Sequence, residues 1–206
     1  MKKARKLVLL VACTLMIGVL AGCGAKFDAS KYVQAQMDNS YKNDSSLVVE
    51  LKYATEEEAQ KVYEDEIDTL VDNFFLGVSV SDDVKSRYAE IFKDMLGKAK
   101  YTVNESEKQS DGSYTVAVEY QQLKLFQPTM DKLTENADKI DVSDLDGYFN
   151  MMADYMEEIL AGDIEYGEAQ KMDVHIEIVN KTYTLNNTDL QTLNNGLFDF
   201  SAVSGN

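Results

Sequence analysis

The chain has 206 residues, 45% hydrophobic and 27% charged, with 12 tyrosines, no tryptophan and a mean hydropathy of -0.31, which excludes a disordered chain. Only one long apolar run occurs, at the amino terminus, and that excludes a polytopic membrane protein. Lys2, Lys3, Arg5 and Lys6 lie in a leader that holds no acid, so the body carries 16 basic against 36 acidic residues, a formal charge of -20 that repels nucleic acid and anionic headgroups alike.

The leader has three zones: a basic start over residues 1–6, an apolar run from Leu7 to Leu20, and Ala21-Gly22-Cys23. That is the layout of an export signal. Fourteen helical residues at ~1.5 Å each span only ~21 Å of a ~30 Å hydrocarbon core, short for a permanent span. The tetrad Leu20-Ala21-Gly22-Cys23 resembles the bacterial lipobox, in which small residues admit the peptidase and the cysteine thiol carries a diacylglyceryl group. The resemblance implies cleavage between Gly22 and Cys23, with Cys23 as the lipidated amino terminus. A second acyl chain makes anchoring stable where one would be marginal, at ~0.8 kcal/mol per buried methylene. The organisation expected is a signal peptide over 1–22, a lipidated tether over 23–29 reaching at most ~20 Å beyond the cysteine, and one acidic domain over 30–206.

Cys13 lies inside the leader and Cys23 at its end, so the body has no thiol, which removes disulfides, thiolate catalysis and cysteine-ligated metals.

Along the body, Ser30 is placed to cap a helix from Lys31 to about Tyr41, with Val33, Met37 and Tyr41 on one face, ended by Asn43-Asp44-Ser45-Ser46. The segment from Leu47 to Tyr53 is ambiguous between strand and helix. Thr55-Glu56-Glu57-Glu58 forms a capping box that opens a helix of about 20 residues, with Ala59, Val62, Tyr63, Ile67, Leu70, Val71, Phe74 and Phe75 as its apolar stripe and Gly77 as its stop. Ser81-Asp82-Asp83 opens the next, whose stripe is Val84, Tyr88, Ile91, Phe92, Met95 and Leu96, with Gly97 as a left-handed terminator.

From Lys98 the period changes to two. Tyr101 and Val103, then Tyr114, Val116, Val118 and Tyr120, alternate about the turn Ser110-Asp111-Gly112, which predicts a hairpin. Pro128 starts a polar helix to about Lys139. A stronger helix carries Leu145, Tyr148, Phe149, Met152, Tyr155, Met156, Ile159 and Leu160, ended by Gly162. One long strand then runs from Lys171 to Leu185 with Met172, Val174, Ile176 and Ile178 on one face, followed by a short helix from Thr188 to Asn195 ended by Gly196. The apolar tail Leu197-Phe198-Asp199-Phe200 should dock. This order predicts an α+β fold: an antiparallel sheet of three or four strands with helices on one face, preceded by a helical signal peptide.

Candidate chemistry is sparse. His175, the sole histidine, falls with Asp173 and Glu177 opposite the apolar face of its strand, which reads as a solvated side chain and rules out a two-histidine zinc site. Glu64, Asp68 and Asp72, four apart on one helix, could crowd around a divalent cation, although a solvated face is the simpler reading. Asp141-Val142-Ser143-Asp144-Leu145-Asp146-Gly147 fails the calcium-loop pattern, because with Gly147 sixth the twelfth position is Ala153; capping and a turn explain these acids better. Glu119 and Glu177 could project from the sheet as a carboxylate pair. The tyrosines invite a sugar-stacking groove, yet most lie on stripes assigned to the core. No catalytic residue, cofactor site or metal site is assigned.

The lipobox, the segment Phe27-Asp28-Ala29-Ser30-Lys31-Tyr32-Val33, the helix end Tyr41-Lys42 and the helix start Thr55-Glu56-Glu57-Glu58-Ala59 together resemble a family of lipoproteins of unknown function from low-GC Gram-positive bacteria. The likeness covers about the first 80 residues. It implies a location and no chemistry. The function expected is a membrane-anchored, non-enzymatic module that binds an unknown protein or small ligand near the bilayer, with no nucleic acid partner. The alternatives are a carboxylate-based wall hydrolase and a protein that binds cations or cationic peptides.

Overall fold

The computed structural model describes residues 19–20, 27–139, 141 and 143–203. The Phe27 ring stacks on Tyr183 at 3.9 Å and meets Tyr114 edge-on at 5.3 Å, so the end of the segment read as tether is already joined to the core.

Helix α1 (Ala29–Lys42) is capped by Asp28, whose carboxylate accepts from the Lys31 amide at 3.0 Å. Ser30, expected in that role, lies inside the helix and donates its hydroxyl to the Asn104 carbonyl at 2.8 Å. The earlier start lets Ala29 bury together with Tyr32 and Val33. Tyr32, Val33, Ala35, Gln36, Met37, Asn39, Ser40 and Tyr41 are all buried, which leaves α1 little free circumference. It packs between the sheet and the other helices: the Tyr32 hydroxyl donates to the Tyr183 carbonyl, and the Asn39 amide donates to the Ala59 carbonyl. Asn43, at φ 51, ends it in the left-handed region that Asn tolerates.

The ambiguous segment is a one-turn helix, α2 (Ser46–Glu50), whose Val48 joins Ala35 and Ala59 in a small satellite cluster. Helix α3 (Glu56–Phe74) opens on the expected capping box, with the Glu58 amide donating to the Thr55 hydroxyl and the Thr55 amide to the Glu58 carboxylate. Helix α4 (Asp82–Gly97) buries the six predicted residues. Gly97 is not left-handed; the helix runs through it and closes on Lys98 at φ -95, because Ala99 is buried and the chain passes straight into the sheet. Gly77 does take the left-handed form, at φ 83.

The sheet is antiparallel throughout. Strands β2 (Lys100–Lys108), β3 (Tyr114–Leu123), β4 (Tyr166–Val179) and β5 (Thr182–Leu185) lie in the order β5-β4-β3-β2, and the two-residue strand β1 (Val19–Leu20) pairs along the outer edge of β5. The predicted single strand from Lys171 to Leu185 is therefore a hairpin that reverses at Asn180 and Lys181, with φ 52 and 65. Positive φ at both central residues is what a two-residue hairpin demands, and Asn-Lys supplies it without the glycine that marks such turns in sequence. Val116, Val118, Tyr120, Val174, Ile176, Tyr183 and Leu185 face the helices and are buried. Thr115, Ala117, Glu119, Gln121, Lys171, Asp173 and His175 take the opposite face, which no helix covers.

Helix α5 (Phe126–Glu135) contains Pro128 in its first turn rather than starting there. Helix α6 (Leu145–Ala161) is capped by Asp144, whose carboxylate accepts from the Gly147 amide at 2.9 Å. Its C-cap, Gly162, stands where expected. Helix α7 (Asn187–Leu197) runs through Gly196 instead of ending before it; a Cβ there would sit 2.5 Å from the Tyr120 ring, so this glycine permits a close approach of helix and sheet.

The tail docks as expected. Leu197, Phe198 and Phe200 are buried, and the buried Asp199 carboxylate accepts from the amides of Leu125, Phe126 and Gln127 at 3.0, 3.0 and 2.9 Å. One side chain thereby satisfies three orphan donors at the start of α5. Asp199→Ala should destabilise the fold by about 3 kcal/mol, because buried amides lose a charged acceptor, and Asp199→Asn should cost less. Urea denaturation measures both.

Candidate functional site

Gly22 and Cys23, the residues singled out for processing and lipid attachment, lie outside the described residues. Phe27 packs between Tyr114, the first residue of β3, and Tyr183, near the start of β5. Three residues separate it from Cys23, four Cα steps that reach at most ~14 Å.

The uncovered sheet face carries a regular pattern of polar groups. A shallow depression of about 470 Å³ lies at its β2–β3 end, lined by Ala99, Lys100, Tyr101, Thr102, Glu119, Tyr120, Gln121 and Ala169. Lys171 pairs with Glu119 across the strands at 3.2 Å, and the Lys100 ammonium lies 3.5 Å from the Tyr166 ring centroid. Thr, Gln, Lys and Glu side chains at strand spacing offer hydrogen bonds of both senses to an extended polar partner.

His175 is half-exposed on this face, as expected. Its Nδ1 lies 2.7 Å from the Asp189 carboxylate on α7, which also accepts from the His175 amide at 2.8 Å. That partner is separated by a hairpin and a helix start, so the sequence could not reveal it. Glu177 accepts from the Asn186 side chain at 2.6 Å. Glu119 pairs in register with Lys171, six residues from Glu177 along β4, about 20 Å at strand rise. Carboxyl pairs that cleave glycosides stand ~5–10 Å apart, so Glu119 and Glu177 do not form one.

The acidic stripe is not drawn together. Glu64 accepts from Gln60, and Asp72 pairs with Lys85 at 3.3 Å. Among the described residues, no group of three potential metal ligands occurs. Asp141 accepts from Ser143, and Asp146 accepts from the Ser81 amide at 3.0 Å, so the failed calcium loop is a set of turns and caps. Bonds from Ser81 and from Ser143 hold the Asp146 and Asp141 carboxyls below the usual range. Six of the tyrosines, Tyr32, Tyr41, Tyr63, Tyr88, Tyr120 and Tyr183, are buried in the core. Burial pushes the Tyr88 and Tyr32 phenols well up from their ordinary value.

The densest ionic cluster joins α4 to α6. Arg87, the single arginine of the body, donates to both Glu157 oxygens at 2.9 and 2.8 Å, to Asp154 at 2.6 Å, and to the carbonyl and side chain of Asn150. A planar fork makes all of these bonds together, which an ammonium cannot. Sequence spacing gave no sign of it, since the partners are 63 to 70 residues away.

No protein-family model matches the chain, and no curated protein matches it. A crystal structure from Bacillus subtilis, described as that of a "putative lipoprotein (ycdA)", superposes with a TM-score of 0.48 and 13% identity over 82% of this chain and 59% of its own. The chain thus spans about three fifths of the length of that protein, and the likeness carries no statement about chemistry.

Hydrogen bonds from Arg87 hold the Glu157 carboxyl below its ordinary value. A carboxyl with a depressed folded-state pKa contributes stability above its unfolded value, about 4.3, and loses it as pH falls through the folded value. The melting temperature should therefore drop as pH falls below about 4. In Glu157→Gln the contribution is missing already at pH 7, and the decline with acid should be shallower. Thermal melts of both proteins across that range measure the difference.

Proposed function

We propose that the chain is a bacterial lipoprotein, held on the outer face of the cell membrane by an acylated Cys23, and that its acidic body is a non-enzymatic binding module working close to the bilayer. The observation that carries this reading is the tetrad Leu20-Ala21-Gly22-Cys23, which stands at the end of a basic and apolar leader and contains the one cysteine outside that apolar run. Phe27, four positions after Cys23, is packed on the domain, so any tether between them is very short. Among the described residues, no helix is long and apolar enough to cross a membrane.

The binding role rests on the uncovered sheet face. Its polar side chains and the depression beside Lys100 and Gln121 suit a hydrogen-bonding protein segment or small ligand, whereas a body charge of -20 disfavours nucleic acid. No specific geometry favours the hydrolase, and Glu119 and Glu177 stand too far apart for it.

Cys23→Ala should abolish acylation and processing together. Mass spectrometry of the membrane fraction should find the wild-type chain beginning at a diacylated Cys23 and the variant as unacylated precursor. Recovery of wild-type chain with Gly22 still joined to an unmodified Cys23 would end the proposal.

A further inference from the structure

The two hairpin tips lie side by side. A Cβ built on Gly112, in the β2–β3 turn at φ 92, would meet the Ile178 side chain at 3.3 Å, so the first turn rests on the apolar flank of the second. Ile178 and its neighbour Val179, which precede the Asn180-Lys181 turn, are 42% and 46% exposed. Ile178 follows Val174 and Ile176 on the face toward the helices and Val179 takes the opposite one, and large apolar side chains left this open at a strand end gain nothing from water. This end of the sheet also holds Phe27, four positions after Cys23, because its ring packs on Tyr114 and Tyr183, the strand residues that flank the two turns. The four residues back to Cys23 reach at most ~14 Å. Charge points the same way. Residues 108–113 and 178–181 hold two lysines, Lys108 and Lys181, and one acid, Asp111, in a body whose acids outnumber its bases more than twofold.

We propose that the paired hairpin tips rest on the outer leaflet, with Ile178 and Val179 immersed at its interface and Lys108 and Lys181 among the headgroups. This inference rests on the lipid-anchor reading above. The anchor holds the protein at the membrane, and the tips set its orientation, since two half-exposed aliphatic side chains are too little apolar area to bind alone. Lysine stems lie along apolar surface while their amines stay in water, which suits this position. The strands then rise away from the bilayer. The depression beside Gln121, seven residues up β3 from Tyr114, stands ~23 Å above the tips and faces sideways, open to a partner lying along the membrane.

The test uses the fully processed, acylated lipoprotein in vesicles of phosphatidylcholine and phosphatidylglycerol. Acylation blocks the Cys23 sulfur and the body has no other thiol, so one introduced cysteine takes an environment-sensitive NBD label alone. Labels at Val179→Cys and, separately, Ile178→Cys should emit to the blue of the same label at Leu76→Cys and be quenched by spin-labelled lipid. Leu76 is 68% exposed and follows Phe74, which packs on Phe126 beyond the far end of β3. Equal, water-like emission from the tip and Leu76 labels, in protein that floats with the vesicles, would overturn the orientation and leave the anchor standing. Failure of the unlabelled, processed protein to float would overturn both.

Discussion

The stack of Phe27 on Tyr183 is the contact on which the proposed orientation depends, because it joins the start of α1 to the sheet four positions after Cys23, the proposed anchor. An aromatic pair contributes ~0.5–1.5 kcal/mol beyond its area burial. Here the ring also touches Tyr32 and Tyr114, so α1, β3 and β5 meet at the residue from which the chain departs. A lipidated chain with a long slack leader could present any face to its surroundings. One that is pinned four residues from its anchor has few orientations to choose from.

The fold behind that contact is a sheet with one apolar and one polar face. The apolar face is covered by α1, itself buried nearly all round, and α1 is covered in turn by α2, α3 and α4. Arg87 holds α4 to α6, while Asp199 ties the carboxyl-terminal tail to the start of α5. These polar anchors sit where helices meet, so the rigid part of the molecule lies on one side of the sheet and leaves the other side open. An uncovered face on a packed support can bind without a deep pocket, since little ordering entropy remains to be lost there.

Much of this was legible in the residues. The capping box at Thr55 and the stripe from Val84 to Leu96 announced α3 and α4, because cap, period and burial all agree there. The β2–β3 hairpin was equally plain, with alternation on both sides of a turn that contains Gly112. The β4–β5 hairpin was not. Its turn uses Asn180 and Lys181, and an alternating pattern continues through it, so a strand and a tight hairpin read alike. Gly97 and Gly196 misled for a related reason: a glycine near a helix end signals either a left-handed stop or a need for space, and Gly196 is the second kind, placed by a tyrosine 76 residues earlier. Asp199 and Arg87 act on partners more than 60 residues away, which no local spacing can disclose. For the site, the sequence placed His175 on the exposed side of its strand, as the structure has it, whereas the bare sheet face depends on which helices cover which side.

Amide hydrogen exchange at Tyr32 and Val33 tests the central claim most directly. If Phe27 locks the start of α1 onto the sheet in the processed protein, these amides should exchange about as slowly as those of Val116 and Val174, and Phe27→Ala should speed them selectively. Exchange at the rate of an unstructured chain in the unmodified protein would show that the link to Cys23 is slack, and would contradict the account.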